Sequence, residues 1–354
     1  MSNTNWVYPH FDYEPEKPLF LCILSNTDTG KIPGISAAGA TPELTDYTPS
    51  ADAELVELNK IITIPEVPNS PEGATTPATI TRAALTLSGI HSLFITSGLR
   101  KKPAVPYVDV GGSGGRDIRF EHAVPNVDEI VTRSEILGRK IASLSDCVFI
   151  GESIAGGTTT AMAVMQALGY PGTVSSSLHD NPMELKQEVI DQAMKRCGAS
   201  VGSMKSDPIK VITELGDPMI PCALGLLKGL KDTKVVLAGG TQMAAVLCVA
   251  DALGVDGDIS IATTKYVVED KSASFREIVE EIGRPWYMVD LGLEKSTMPP
   301  IKCYAEGSAK EGVGAGGAAL AASLRGIKQQ QIVEETDHVL MTVELPKYSQ
   351  KPIR

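Results

Sequence analysis

Glu152 and Glu311 both stand inside glycine-rich turns of this sequence. Glu152 belongs to Gly151-Glu152-Ser153-Ile154-Ala155-Gly156-Gly157-Thr158-Thr159-Thr160, which runs on into AMAVMQALG. A short apolar run ends there, small residues turn the chain, and a helix begins at the threonines. Consecutive backbone N–H groups at such a turn can cradle an anion, and the helix dipole favours negative charge. An ordinary strand-to-helix turn with a threonine N-cap fits the same residues. The lysine of a Walker A loop is absent, which weighs against an ATP phosphotransferase. Glu311 belongs to Ala309-Lys310-Glu311-Gly312-Val313-Gly314-Ala315-Gly316-Gly317, which leads into an Ala-rich helix. A carboxylate at that place would feel the helix dipole and could act as a base. A solvated glutamate beside a flexible loop is the plainer account of that segment alone.

Other segments carry weaker signals. Asp109 ends the VPYVDV run before Gly111-Gly112-Ser113-Gly114-Gly115, where an aspartate commonly caps a turn. Gly239-Gly240-Thr241-Gln242 follows KVVLA and either sets a polar group over a substrate or forms a tight turn. Lys186 lies early in a helical stretch and is read as a solvated lysine or a phosphate partner. The five histidines, His10, His91, His122, His179 and His338, show no ligand spacing, and the six cysteines are scattered without metal-ligand spacing. Cys22, Cys147 and Cys248 sit in apolar runs as small hydrophobes.

These turns need elements to hold them. Short apolar runs suited to strands buried on both faces are Leu19 to Leu24, Ser92 to Thr96, Val105 to Val110, Cys147 to Gly151, Lys234 to Gly239, Ile259 to Thr263 and Trp286 to Asp290. Helical patterns alternate with them at Asp128 to Ser143, Thr158 to Leu168, Met183 to Arg196, Met219 to Leu230, Gln242 to Leu253 and Phe275 to Ile282. The rhythm predicts an α/β fold: a doubly wound, mainly parallel Rossmann-like sheet with small accessory segments from the termini. Such sheets bind ligands beyond the carboxyl ends of their strands, where the turns above stand. The expected division is one domain over 1–354, with an insert at 37–79 read as a loop, lid or arm. A C-terminal extension at 331–354 holds a β-like HVLMTVEL run and a frayed end.

Composition narrows the partners. The net charge is −11, aromatics are 5% of residues and no basic stripe stands out, so nucleic acid and an anionic membrane are excluded as expected partners. The N-terminus lacks the pattern of a signal peptide and no apolar run is long enough to span a bilayer, so the cytoplasm is expected.

Taken in order, these segments resemble the nicotinate-nucleotide:dimethylbenzimidazole phosphoribosyltransferases of cobamide nucleotide-loop assembly, and more closely their divergent archaeal and cyanobacterial relatives. Tyr107 to Gly111 resembles that family's VVDVG-like strand end, and Gly151 to Thr159 its GE-x-GIGNTT turn. Met183 to Gln187 matches its Lys-bearing helix, Asp207 to Val211 with Gly216 its DP-x-x-V helix, and Ala309 to Ala315 its LGEG-x-GAA turn. The likeness covers roughly Val105 to Leu324. Departures stand at Gly157 for an asparagine, Gly239 for an aspartate, and near Ser308, where an arginine is lost; they leave the accepting base open. The resemblance implies a pentosyltransferase that moves phosphoribose from nicotinate mononucleotide to an aromatic nitrogen base of benzimidazole type, with no cofactor and no metal. Adenine or another base, or an inactive nucleotide-binding protein, are the alternatives. It further implies Glu311 and Glu152 as catalytic groups. The implied substrate-binding set is Gly156, Gly157, Thr158, Thr159, Ser175, Lys186, Gly240, Thr264, Gly312 and Gly314, and a homodimer is the implied assembly. The acidic pair typical of enzymes that use the pyrophosphorylated sugar is missing after KVVLA, which disfavours that substrate.

Overall fold

The computed structural model describes residues 6–36 and 43–346. Its first half runs β1 (Val7–Tyr8), β2 (Pro18–Leu24), α1 (Thr48–Leu58), α2 (Ala78–Ser88), β3 (His91–Ser97), β4 (Tyr107–Gly111), α3 (Val127–Ala142), β5 (Cys147–Ser153) and α4 (Gly157–Leu168). Then come α5 (Met183–Cys197), α6 (Pro208–Leu215), α7 (Met219–Gly229), β6 (Lys234–Ala238), α8 (Thr241–Ala252), β7 (Ile259–Thr264) and α9 (Lys265–Val268). The chain closes with α10 (Phe275–Ile282), β8 (Trp286–Val289), α11 (Pro299–Lys302), α12 (Ala315–Leu324) and α13 (Gln329–Thr342).

The strands form one sheet in the order β1-β8-β7-β6-β5-β2-β3-β4. Every neighbouring pair is parallel except β1 with β8. The winding reverses between β2 and β5, so the segments leaving these two strands diverge and open a crevice at their carboxyl ends. The fold is therefore the doubly wound α/β sheet expected from the strand–helix rhythm.

Side chains alternate across each strand. Leu21, Ile23, Val148, Ile150, Val235 and Leu237 enter one core, beneath α3 to α8 and α10. Phe20, Cys22, Leu24, Phe149, Val236 and Ala238 enter the other, beneath α1, α2, α12 and α13. Covering both faces takes the central strands out of water, at roughly 1.5–3 kcal/mol for each fully buried large apolar residue. Apart from the Ala-rich α12, the second layer is thus built from stretches that the sequence rhythm left outside it. In the described part of 37–79, nine residues of α1, Thr48 through Val56, are buried. The HVLMTVEL run is not a strand: its first five residues end α13, and beyond them Glu344 forms an isolated bridge with Lys60. Ile332, Val333, Thr336 and Val339 are buried at helical spacing, so the 3.6-residue period prevails over β-branched composition. Residues 347–354 of that tail, and 37–42 of the insert, lie outside the described residues.

Candidate functional site

A cleft of about 940 Å³, mouth included, lies at the carboxyl ends of β5, β6 and β7. One wall is the start of α4. Gly156 has φ +80°, and a Cβ on it would collide with the Gly30 backbone in the segment after β2. This contact joins the two diverging connections at the bottom of the crevice. No side chain among the described residues caps α4; Thr159 N bonds Gly156 O at 3.1 Å, and Gly156, Gly157 and Thr158 line the cleft at the helix start.

Glu311 lines the opposite wall. Its Oε2 accepts from Thr264 N at 2.9 Å and Thr263 Oγ1 at 3.1 Å, and its Oε1 from Gly316 N at 3.1 Å and Gly312 N at 3.2 Å. Burial raises the carboxyl above its ordinary range, against the pull of those donors. A Cβ on Gly316 would meet both the Thr263 backbone and the Glu311 carboxylate, so only glycine lets α12 approach β7 and receive Glu311 as its cap. Val313 N donates to Glu152 O at 2.9 Å, which ties the Glu311 turn to the end of β5.

Glu152 is 3% exposed and lines the same cleft. Its carboxyl is pushed up to about 8, by burial first and then by the charges of Asp217, Glu311 and Asp52. Asp217 is buried behind α4, where it accepts from Thr160 Oγ1 at 2.5 Å and Met219 N at 3.0 Å, and burial raises it to about 6. Asp52 of α1 accepts from Thr76 Oγ1 at 2.6 Å and Ser153 Oγ at 2.7 Å, and burial raises it likewise to about 6. Asp52 and Asp217 carried no signal in the sequence, and only the fold brings them to Glu152, whereas Ser153 stood beside it in the quoted turn.

Ser175, Gly240 and Gly312 also line the cleft, whereas Thr159, Lys186, Thr264 and Gly314 stand behind its wall. Thr264 Oγ1 donates to Lys310 O at 2.5 Å, and Gly314, at φ +69°, packs against Phe20 and Gly151. Lys186 is fully buried, with Nζ 3.3 Å from Ser175 O and 3.0 Å from Asn181 Oδ1. Burial lowers its amine to about 7, helped by the nearby Lys310 charge. Lys310 Nζ in turn donates to Ser176 O at 3.0 Å and pairs with Asp270 Oδ2 at 3.3 Å. Two buried amines therefore hold the Ser175–Leu178 segment from below. Asp109 is exposed and accepts from Gly111 N, so the third glycine-rich turn is a capped corner away from the cleft. Among the described residues no three His, Cys, Asp or Glu side chains come together as a metal site, and no helix is long and apolar enough to cross a membrane.

No family model matches the chain. Two crystal structures of Thermus thermophilus proteins share its fold. One, of nicotinate-nucleotide-dimethylbenzimidazole phosphoribosyltransferase, aligns with TM-score 0.56 at 18% identity, covering 91% of this chain and 86% of that one. The other, of CobT, aligns with TM-score 0.60 at 16% identity, covering 90% and 84%. At the level of the fold they bear out the resemblance read from the order of the motifs. In sequence, the UPF0284 protein of Methanosarcina mazei is 49% identical over 339 residues, 94% of this chain and 97% of its own length. The UPF0284 protein of Pyrococcus furiosus is 44% identical over 91% of this chain and 98% of its own length. Matched end to end at such identity, the chain belongs to the UPF0284 protein family.

Proposed function

We propose that this protein is a phosphoribosyltransferase that moves phosphoribose from nicotinate mononucleotide to an aromatic nitrogen base, as in cobamide nucleotide-loop assembly. One observation carries the reading: an uncapped helix N-terminus and a buried carboxylate open onto the same cleft. The first suits a 5′-phosphate and the second an azole proton. The fold shared with the Thermus phosphoribosyltransferase supports the same assignment.

The phosphate lies against the Gly156, Gly157 and Thr158 amides, with Ser175 beside it. Lys186 acts through the Ser175 carbonyl, a positioning part. The base attacks the anomeric carbon from the face opposite nicotinate. The carbon–nitrogen bond to nicotinate breaks, the bond to the base forms, and the ring N–H proton passes to Glu311. Nicotinate departs with the electron pair, which cancels the positive charge on its ring nitrogen. All four acceptor positions of Glu311 are occupied, but the Thr263 hydroxyl can rotate away and yield its place to the incoming N–H. At neutral pH Glu152 keeps its proton, so it orients substrate by donating a hydrogen bond. General-base assistance of this kind contributes about 10²–10⁴-fold.

The occupied acceptors of Glu311 also fit a nucleotide-binding protein without turnover. Incubation with nicotinate mononucleotide and a panel of bases separates the two. The transferase releases free nicotinate only when a base is present; a binder takes up the mononucleotide and releases none.

A further inference from the structure

The part of the cleft contributed by α1 and the residues before α2 is rich in hydrogen-bonding groups: Thr48, Asp52, Asn69, Ser70, Thr75 and Thr76. Asp52 is 2% exposed, and each of its oxygens accepts one hydroxyl, from Thr76 and from Ser153. Each oxygen therefore keeps further acceptor capacity. Thr75 is 1% exposed, and its buried hydroxyl has no hydrogen-bond partner among the described residues. Its backbone is fixed on both sides, by Pro300 O at 3.2 Å and by the Tyr304 hydroxyl at 2.7 Å. A held, buried hydroxyl without a partner among the described residues, lining the same cleft as a carboxylate with spare acceptors, favours a polar ligand that bonds both.

We propose that this end of the cleft recognises the accepting base, and that the base carries an exocyclic amino group beside a ring nitrogen, as adenine does, rather than the ring methyl groups of dimethylbenzimidazole. The inference rests on the transferase reading above. An amino N–H would donate to Asp52, and the Thr75 hydroxyl would donate to the adjacent ring nitrogen. Burial holds the Asp52 carboxyl up at about 6, which still leaves it an ionised acceptor at neutral pH. Ring methyls at the same place would leave the Thr75 hydroxyl unbonded and give Asp52 no donor beyond Thr76 and Ser153, and sites built to hydrogen-bond a substrate discriminate strongly against analogues that lack the bond. The Asp52–Ser153 bond sets this end one residue from Glu152, whose carbonyl is bonded by Val313 N of the Glu311 turn, so the base would be read at Asp52 and deprotonated at Glu311.

The test uses the full-length chain with nicotinate mononucleotide and either adenine or 5,6-dimethylbenzimidazole, the products being separated by chromatography. Adenine is expected to be used with kcat/KM at least about 100-fold higher. Thr75→Val is expected to lower the ratio of adenine to dimethylbenzimidazole use by about tenfold, and Asp52→Asn by about 10–100-fold. Thr75→Val removes a hydroxyl that holds nothing in the fold, so it decides the matter if Asp52→Asn does not fold. A preference for dimethylbenzimidazole, or a ratio unmoved by Thr75→Val, overturns the inference and leaves the transferase reading standing. Absence of nicotinate release with every base overturns both.

Discussion

At the residue scale the site is a group of buried acids with different tasks. Glu311 caps α12 and is polarised by four donors, whereas Glu152 has the negative charges of Asp217, Glu311 and Asp52 near it. Glu311→Gln is expected to slow nicotinate release by about 10²–10⁴-fold while calorimetry finds mononucleotide binding within a few-fold of the native protein. Near-full turnover by this variant would remove Glu311 as the base. Glu152 gives a pH test. Its folded-state pKa, about 8, is raised above the ordinary 4.5. Its stabilising contribution is therefore complete below about pH 4.5 and is lost as pH climbs towards 8. Glu152→Gln cannot ionise, so its melting temperature should gain on the native protein as pH rises from about 5 to about 8. A gap that stays constant with pH would show that Glu152 does not titrate in that window. Both glutamates were legible in the sequence because each sits in a glycine-rich turn. Asp52 and Asp217 were not, since each is an isolated aspartate whose importance comes from long-range contacts with Ser153 and Thr160.

At the scale of elements, β2 to β8 and the helices α3, α4, α5, α7, α8 and α10 were legible because parallel strands buried on both faces read as continuous apolar runs, whereas the two-residue β1 and α2 were not. Nor was α1. With Thr48, Ser50, Asp52 and Glu54 buried alongside its apolar residues, it shows no stripe of one polarity. Glu54 explains part of that burial. It accepts from Ile62 N, Thr63 N and Ala104 N, and so holds the chain that leaves α1. Glu54→Leu leaves these amides unpaired and is expected to destabilise the protein by about 2–5 kcal/mol in a denaturant titration. A loss below about 1 kcal/mol would mean the segment finds other partners. The turn before α4 has its own test. Gly156→Ala places a methyl group against Gly30 at a left-handed φ, and is expected to weaken mononucleotide binding at least about tenfold, because it forces apart the two segments that meet at the crevice. Binding at native affinity would show that the α4 turn does not hold the phosphate.

At the scale of the whole molecule, the cleft lies over the carboxyl ends of β5, β6 and β7, next to the point between β2 and β5 where the winding reverses, and α1, α2, α12 and α13 cover the sheet face beside it. The stretches 37–79 and 331–354, set apart by composition, contribute through their described parts to the same core as the Glu311 turn. Assembly has a separate measurement. Leu58, Ile62, Met341 and Leu345 are exposed on segments joined by the Lys60–Glu344 bridge, an apolar surface a second copy could cover. Light scattering at micromolar concentration is expected to return the mass of a dimer, and a monomer mass would refute it. The central claim is the transfer itself, and free nicotinate measures it most directly. With nicotinate mononucleotide alone the native protein should release almost none. With mononucleotide and an accepting base it should release nicotinate in step with a new phosphoribosylated base. Tight binding of the mononucleotide without nicotinate release, across a panel of benzimidazoles and purines, would contradict the account.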